Sequence, residues 1–198
     1  MLHPQLRSNT DIQHQQLEKQ FTTLLQEVKN PGDYSGFLKL IASFLIPLEN
    51  RIHQFPLETL LPDKESRRRS KDLLSDIRQY DPDWKMEKKA TLPSISSLYH
   101  AIGALYVLEG STLGGPFIAR MLRNQTGFNP SLQYFENYKE NRKPMWEIFR
   151  RALDEPALQP HTETITSSAI GCFTAYLNWL ELNSKFSYAT NSNESMRP

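Results

Sequence analysis

The chain has 198 residues, of which 38% are hydrophobic, enough for one well-packed domain and too few for two ample ones. A formal net charge of +1 gives no general attraction to nucleic acid or an acidic membrane, and the single cysteine, Cys172, excludes a disulfide framework and any four-cysteine metal site. The stretch from Met1 to Arg7 lacks a signal-peptide core, no apolar run approaches the ~20 residues of a membrane span, and a lone cysteine suits a reducing compartment, so a soluble cytoplasmic protein is expected.

In chain order, residues 5–29 show an amphipathic helical stripe of Thr10, His14, Leu17, Phe21, Leu24 and Val28, stopped by Asn30-Pro31-Gly32. A second helix is expected from Tyr34, carrying Phe37, Leu38, Ile41, Phe44, Leu45 and Leu48, with Pro47 bending it. A loop with Pro56 and Pro62 leads to a third helix over residues 64–79, whose buried side is Leu73, Leu74 and Ile77. Asp81-Pro82-Asp83 ends it, and a polar linker runs to Pro93.

The next stretch, Ser97 to Arg123, is unusual. The chain has eight glycines, and four of them fall between Gly103 and Gly115. Leu98, Ala101, Ile102, Leu105 and Leu108 keep helical spacing, and Ser94 is the expected N-cap. Glycine inside a helix costs roughly 1 kcal/mol relative to alanine, so the cluster demands a reason. Gly103, Gly110 and Gly114 lie seven and four residues apart, on one helix face, and Gly114-Gly115-Pro116 should kink the helix. A bare backbone strip admits either a closely packed second helix or a flat ligand. Beyond it, a short helix is expected after Asn129-Pro130, with Leu132, Tyr134, Phe135 and Tyr138. Another starts at Pro144, and a last long one covers residues 161–183. The expected architecture is all-α and single-domain over residues 1–185, with residues 186–198 a disordered polar tail.

Tyr106-Val-Leu-Glu-Gly-Ser-Thr-Leu-Gly-Gly115 resembles the distal helix of the bacterial haem oxygenases. Leu6-Arg7-Ser-Asn-Thr10-Asp-Ile-Gln-His14-Gln-Gln-Leu-Glu18 resembles the proximal helix of the same family, and residues 37–49 its next helix. The likeness thins out after Arg123. It implies a multihelical haem-oxygenase-like fold with a kinked glycine-rich distal helix. It also implies an enzyme that uses dioxygen and external electrons to open haem, at once cofactor and substrate, to biliverdin, carbon monoxide and ferrous iron.

In that reading His14 is the axial iron ligand and Glu18, one turn on, orients its imidazole. Taken alone, His14 would more often be a hydrogen-bonded core histidine than a ligand. Gly110 and Gly114 form the distal wall, and Ser111 stands where animal members carry an aspartate, as in several bacterial relatives. Arg7, Tyr106 and Arg150 are the candidates for the two propionates. Arg67-Arg68-Arg69 with Lys71 reads as a solvated basic turn that could instead dock an acidic electron donor such as ferredoxin. Such a donor is required because the chain has no GxGxxG or CxxC of its own. His3, His53, His100 and His161 are scattered without metal-ligand spacing, His100 being placed at the surface or behind the site. The rival readings are a haem storage, transfer or sensor protein without turnover, an interaction scaffold without haem, and a thiaminase-like enzyme, the last weakened because Cys172 lacks a supporting motif.

Overall fold

The computed structural model describes residues 1–67, 69–125 and 127–183, and all regular structure within them is helical. Seven α-helices follow in order: α1 Leu2–Glu27, α2 Pro31–Ile52, α3 Ser70–Arg78, α4 Leu98–Ser111, α5 Gly115–Gln125, α6 Arg142–Leu153 and α7 Thr162–Asn183. None of the described helices is long and apolar enough to cross a membrane. The polar tail expected at 186–198 lies outside the described residues, as does Arg68.

The Asn30-Pro31-Gly32 stop is at the same time the start of α2. Asn30 accepts from the Asp33 N–H, and the Asp33 carboxylate accepts in return from the Asn30 N–H, a reciprocal cap. Pro31 sits at the first helical position, where no N–H is needed. The α2 helix is deeply buried, with Tyr34, Phe37, Leu38, Ile41, Phe44, Leu48 and Ile52 sealed from solvent. It packs against α3, α4 and α7, and the Trp179 indole on α7 donates to the Leu40 carbonyl at 2.9 Å.

The α4 helix packs along α7, and the close approach is made at Gly103. A Cβ built there would lie 2.2 Å from the Ile165 carbonyl oxygen and 2.8 Å from the Ser168 Cβ. The Ser168 hydroxyl donates across the same seam to the His100 carbonyl at 2.7 Å. Gly103 therefore answers to the helix-packing reading of the bare strip.

Several boundaries differ from expectation for local reasons. The cap of α4 is Ser97, whose hydroxyl accepts from the His100 N–H, and not Ser94. Where a single helix kinked at Gly114-Gly115-Pro116 is expected, the chain forms α4, a 3-10 turn over Thr112–Gly114, and α5. Pro116 falls in the first turn of α5, where its missing N–H costs nothing. The third expected helix divides into a 3-10 turn, Lys64–Arg67, and the shorter α3. The helix expected after Asn129-Pro130 does not form. Its Gln133 and Tyr134 N–H groups donate to the buried Asp76 carboxylate, and Tyr138 and Lys139 take positive φ. Such capture of backbone donors by a side chain competes directly with a helical ladder.

Gly103→Ala should cost about 2–4 kcal/mol, because backbone must move to admit the methyl group. Urea unfolding of the variant checks this, with a lowered midpoint at unchanged slope as the expected result.

Candidate functional site

A cavity of about 750 Å³ opens between α1 on one side and the junction of α4 and α5 on the other. It falls within the size range of small-molecule and cofactor sites, roughly 300–1,000 Å³. Phe44, Phe135, Phe173 and Tyr176 line its interior, and Trp146 and Arg150 of α6 border it. All eight residues singled out from the sequence line it: Arg7, His14, Glu18, Tyr106, Gly110, Ser111, Gly114 and Arg150.

On the α1 side, the spacing of four places Thr10, His14 and Glu18 along one helix face. The His14 side chain is 47% exposed, which removes the core-histidine alternative. Its ring sits edge-on to Phe173 with centroids 5.7 Å apart. Glu18 Oε1 lies 3.6 Å from Nε2, within reach of the imidazole but beyond hydrogen-bond length. Among the described residues no three His, Cys, Asp or Glu side chains cluster to hold a metal ion.

The opposite wall is backbone. A Cβ built on Gly110 or on Gly114 would meet nothing within 4 Å, in contrast to Gly103 and to Gly115, whose Cβ would lie 2.2 Å from the Phe135 carbonyl. The four clustered glycines thus split into two packing glycines and two that face open space. Ser111 donates to the Leu108 carbonyl at 2.7 Å, an intrahelical bond that turns its hydroxyl back along α4.

Behind this wall lies a buried charge cluster. The expectation that the Arg67–Arg69 turn is solvated, or free to dock a donor, is overturned at both described arginines, which are 3% and 5% exposed. Arg67 makes a two-pronged pair with Asp63, donates to Glu109 Oε2 at 2.5 Å and reaches the Met145 carbonyl at 3.1 Å. Glu109 also accepts from the Tyr138 hydroxyl at 3.2 Å. Arg69 donates to the Leu108 carbonyl at 2.6 Å and to Ser111 Oγ at 3.2 Å, and its own N–H is held by Glu49 Oε1 at 2.6 Å. Burial pushes the Glu109 carboxyl above the usual carboxylate range, opposed by Arg67 and Arg69. The flanking guanidiniums and the Tyr138 donor keep it in use as an acceptor. Charge-run reasoning missed this cluster. The available signal was a pair of acids, Glu49 and Glu109, each directly following an apolar run without a charge, residues 42–48 and residues 101–108, and so in need of buried cations.

At the rim, Tyr106 is 8% exposed and its ring lies 6.1 Å from that of Trp146. Arg150 pairs with Glu147 at 2.8 Å, one turn back on α6. His3, set aside in the sequence, also lines the cavity. His100 instead bonds its own cap Ser97, and His161 stacks on Tyr99 with centroids 3.4 Å apart. Cys172 is fully buried, and burial pushes its thiol up to about 12, the opposite of an activated nucleophile.

Comparison with known proteins adds the following. A family model described as "Heme oxygenase" matches residues 1–182. A curated heme oxygenase from Xanthomonas campestris pv. campestris is 45% identical over 67 residues, which make up 33% of this chain and 40% of that protein. The structure of heme oxygenase from Leptospira interrogans superposes with a TM-score of 0.72 at 16% identity, covering 91% of this chain and 98% of the other. The NO- and CO-bound heme oxygenase from Neisseria meningitidis superposes with a TM-score of 0.71 at 21% identity, covering 100% and 99%. At those identities the two structures establish the fold.

Glu109→Leu should destabilise the protein by about 3–5 kcal/mol, since it leaves the buried Arg67 guanidinium without its closest partner. Calorimetric unfolding checks this. A loss under about 1 kcal/mol would show that the pair is no better than a surface one.

Proposed function

The chain belongs to the haem oxygenase family, and we propose that it opens haem to biliverdin, carbon monoxide and ferrous iron, using dioxygen and electrons from an external donor. The observation that carries this reading is the pairing of an exposed imidazole, His14, with a wall of side-chain-free backbone at Gly110 and Gly114 across one cavity. Bound haem supplies both the iron at which dioxygen is activated and the porphyrin that is opened. The residues fit such a group, since the cavity offers the exposed imidazole of His14, apolar ring contacts and basic side chains at the rim.

In this reading His14 holds the iron from the α1 side, and Glu18 accepts from its second ring nitrogen once the ring is fixed. Gly110 and Gly114, which carry no side chain into the cavity, would let a flat ring approach the backbone there closely. Ser111, the Leu108 carbonyl and Arg69 make a fixed polar corner beside that space. Water held at that corner would supply protons to a ligand bound in the cavity. Arg7, Tyr106 and Arg150 bind the propionates and set the in-plane orientation of the ring. Electrons come from outside, from ferredoxin or a similar reductase system, and the single buried Cys172 accords with work in the reducing cytoplasm.

The test is an absorption time course of the protein with haemin, given ascorbate or ferredoxin with its reductase, in air with catalase present. Decay of the Soret band with growth of a broad red biliverdin band is the expected result. A Soret band that forms and persists with both donors would replace the oxygenase by a haem carrier, and no band at all would remove haem from the reading.

A further inference from the structure

We propose that His3 completes the basic rim of the cavity as a proton-dependent carboxylate partner, so that binding a dicarboxylate tetrapyrrole draws a proton onto its imidazole. The inference rests on the reading of the cavity as a haem site and deepens it.

His3 sits in the first turn of α1, four residues before Arg7 and hence on the same helix face. Its ring lies against two aromatic neighbours, with centroids 5.6 Å from Trp146 on α6 and 6.5 Å from Tyr106 on α4, both edge-on. These contacts hold the imidazole at the cavity edge rather than in solvent. The charged groups facing it come from each side. Arg7 lies on its own helix, Arg150 and Glu147 on α6, and Asp154 just past the end of α6. Both acids are already engaged, Asp154 with the Leu2 N–H at 2.9 Å and Glu147 with Arg150 at 2.8 Å.

Desolvation, then the Arg150 charge, lower the His3 pKa below its ordinary value, with Arg7 adding to the effect and Asp154 and Glu147 opposing it. Near neutral pH the ligand-free imidazole is therefore mostly uncharged. A carboxylate placed among Arg7, Arg150 and His3 reverses the local field, and the His3 pKa rises. The sign of the linkage follows. A group whose pKa is higher in the complex strengthens binding below its free pKa, and that gain is lost as pH rises through the bound value. His3 thus makes affinity for a dicarboxylate ring greater on the acid side of neutrality, an effect that two arginines alone cannot supply, since they do not titrate in this range.

The experiment is equilibrium titration of the wild-type protein, His3→Gln and His3→Lys with haemin and with haemin dimethyl ester, followed by the Soret band at about pH 6 and about pH 8.5. The three proteins differ only at position 3, so the comparison isolates that side chain. With haemin, His3→Gln should bind about fivefold more weakly than wild type at the lower pH and nearly equally at the higher one. His3→Lys should bind at least as tightly as wild type at the higher pH, which also shows that the site tolerates substitution. The differences should vanish with the dimethyl ester, which has no carboxylates. Equal affinities of wild type and His3→Gln for haemin at both pH values would overturn the proposal while leaving the haem reading intact, as would the same differences with the ester. Absence of a Soret band in all three proteins would overturn the haem reading and this proposal together.

Discussion

The ion pair between Arg67 and Glu109 is the constraint on which the site depends. Both side chains are essentially removed from water, their contact is 2.5 Å, and Asp63, Tyr138 and the Met145 carbonyl take up much of the remaining hydrogen-bonding capacity. Burying two charges is costly, and such a pair is tolerable only where hydrogen bonds surround it. Here they do, and the consequence is geometric. Glu109 immediately precedes Gly110, so the pair fixes the last turn of α4 relative to the segment just before α3. Arg69 clamps the next carbonyl back, Leu108, together with Ser111.

The middle of α4 is held differently, by the close approach of Gly103 to α7. A helix pinned by contact at Gly103 and by charge at Glu109 can present bare backbone just past the ion pair without collapsing onto its neighbour. This is why Gly110 and Gly114 face open space while Gly103 and Gly115 face carbonyls. The facing helix, α1, has the opposite character. Arg7, His14 and Glu18 are exposed on it and can adjust to what enters. A fixed backbone wall facing adaptable side chains is the division of labour a preorganised site requires.

Much of this was legible in the sequence because periodicity reports burial. The stripes of α1, α2 and α7 and the all-helical class follow from spacing alone, and the residues named for the site do share one cavity. What was not legible is long-range. The basic turn looked solvated because its partners lie 42 and 20 residues away in sequence, at Glu109 and Glu49. The helix expected near residue 132 failed because Asp76, 57 and 58 residues distant, takes the Gln133 and Tyr134 N–H groups. Asn30-Pro31-Gly32 gave a stop where the chain also makes a start, since the same residues that end one helix cap the next. The glycine strip itself was ambiguous for a sound reason: spacing puts Gly103 and Gly110 on one face, but only the position of α7 decides which of them is covered.

The central claim, that this cavity holds haem iron through His14, is tested most directly by resonance Raman spectroscopy of the ferrous haem complex. An iron–histidine stretching band in the wild-type protein, absent from His14→Ala and regained on adding free imidazole, is the expected result. An unchanged band in His14→Ala would show that another side chain ligates the iron, and the opposition of α1 to the glycine wall would lose its functional meaning.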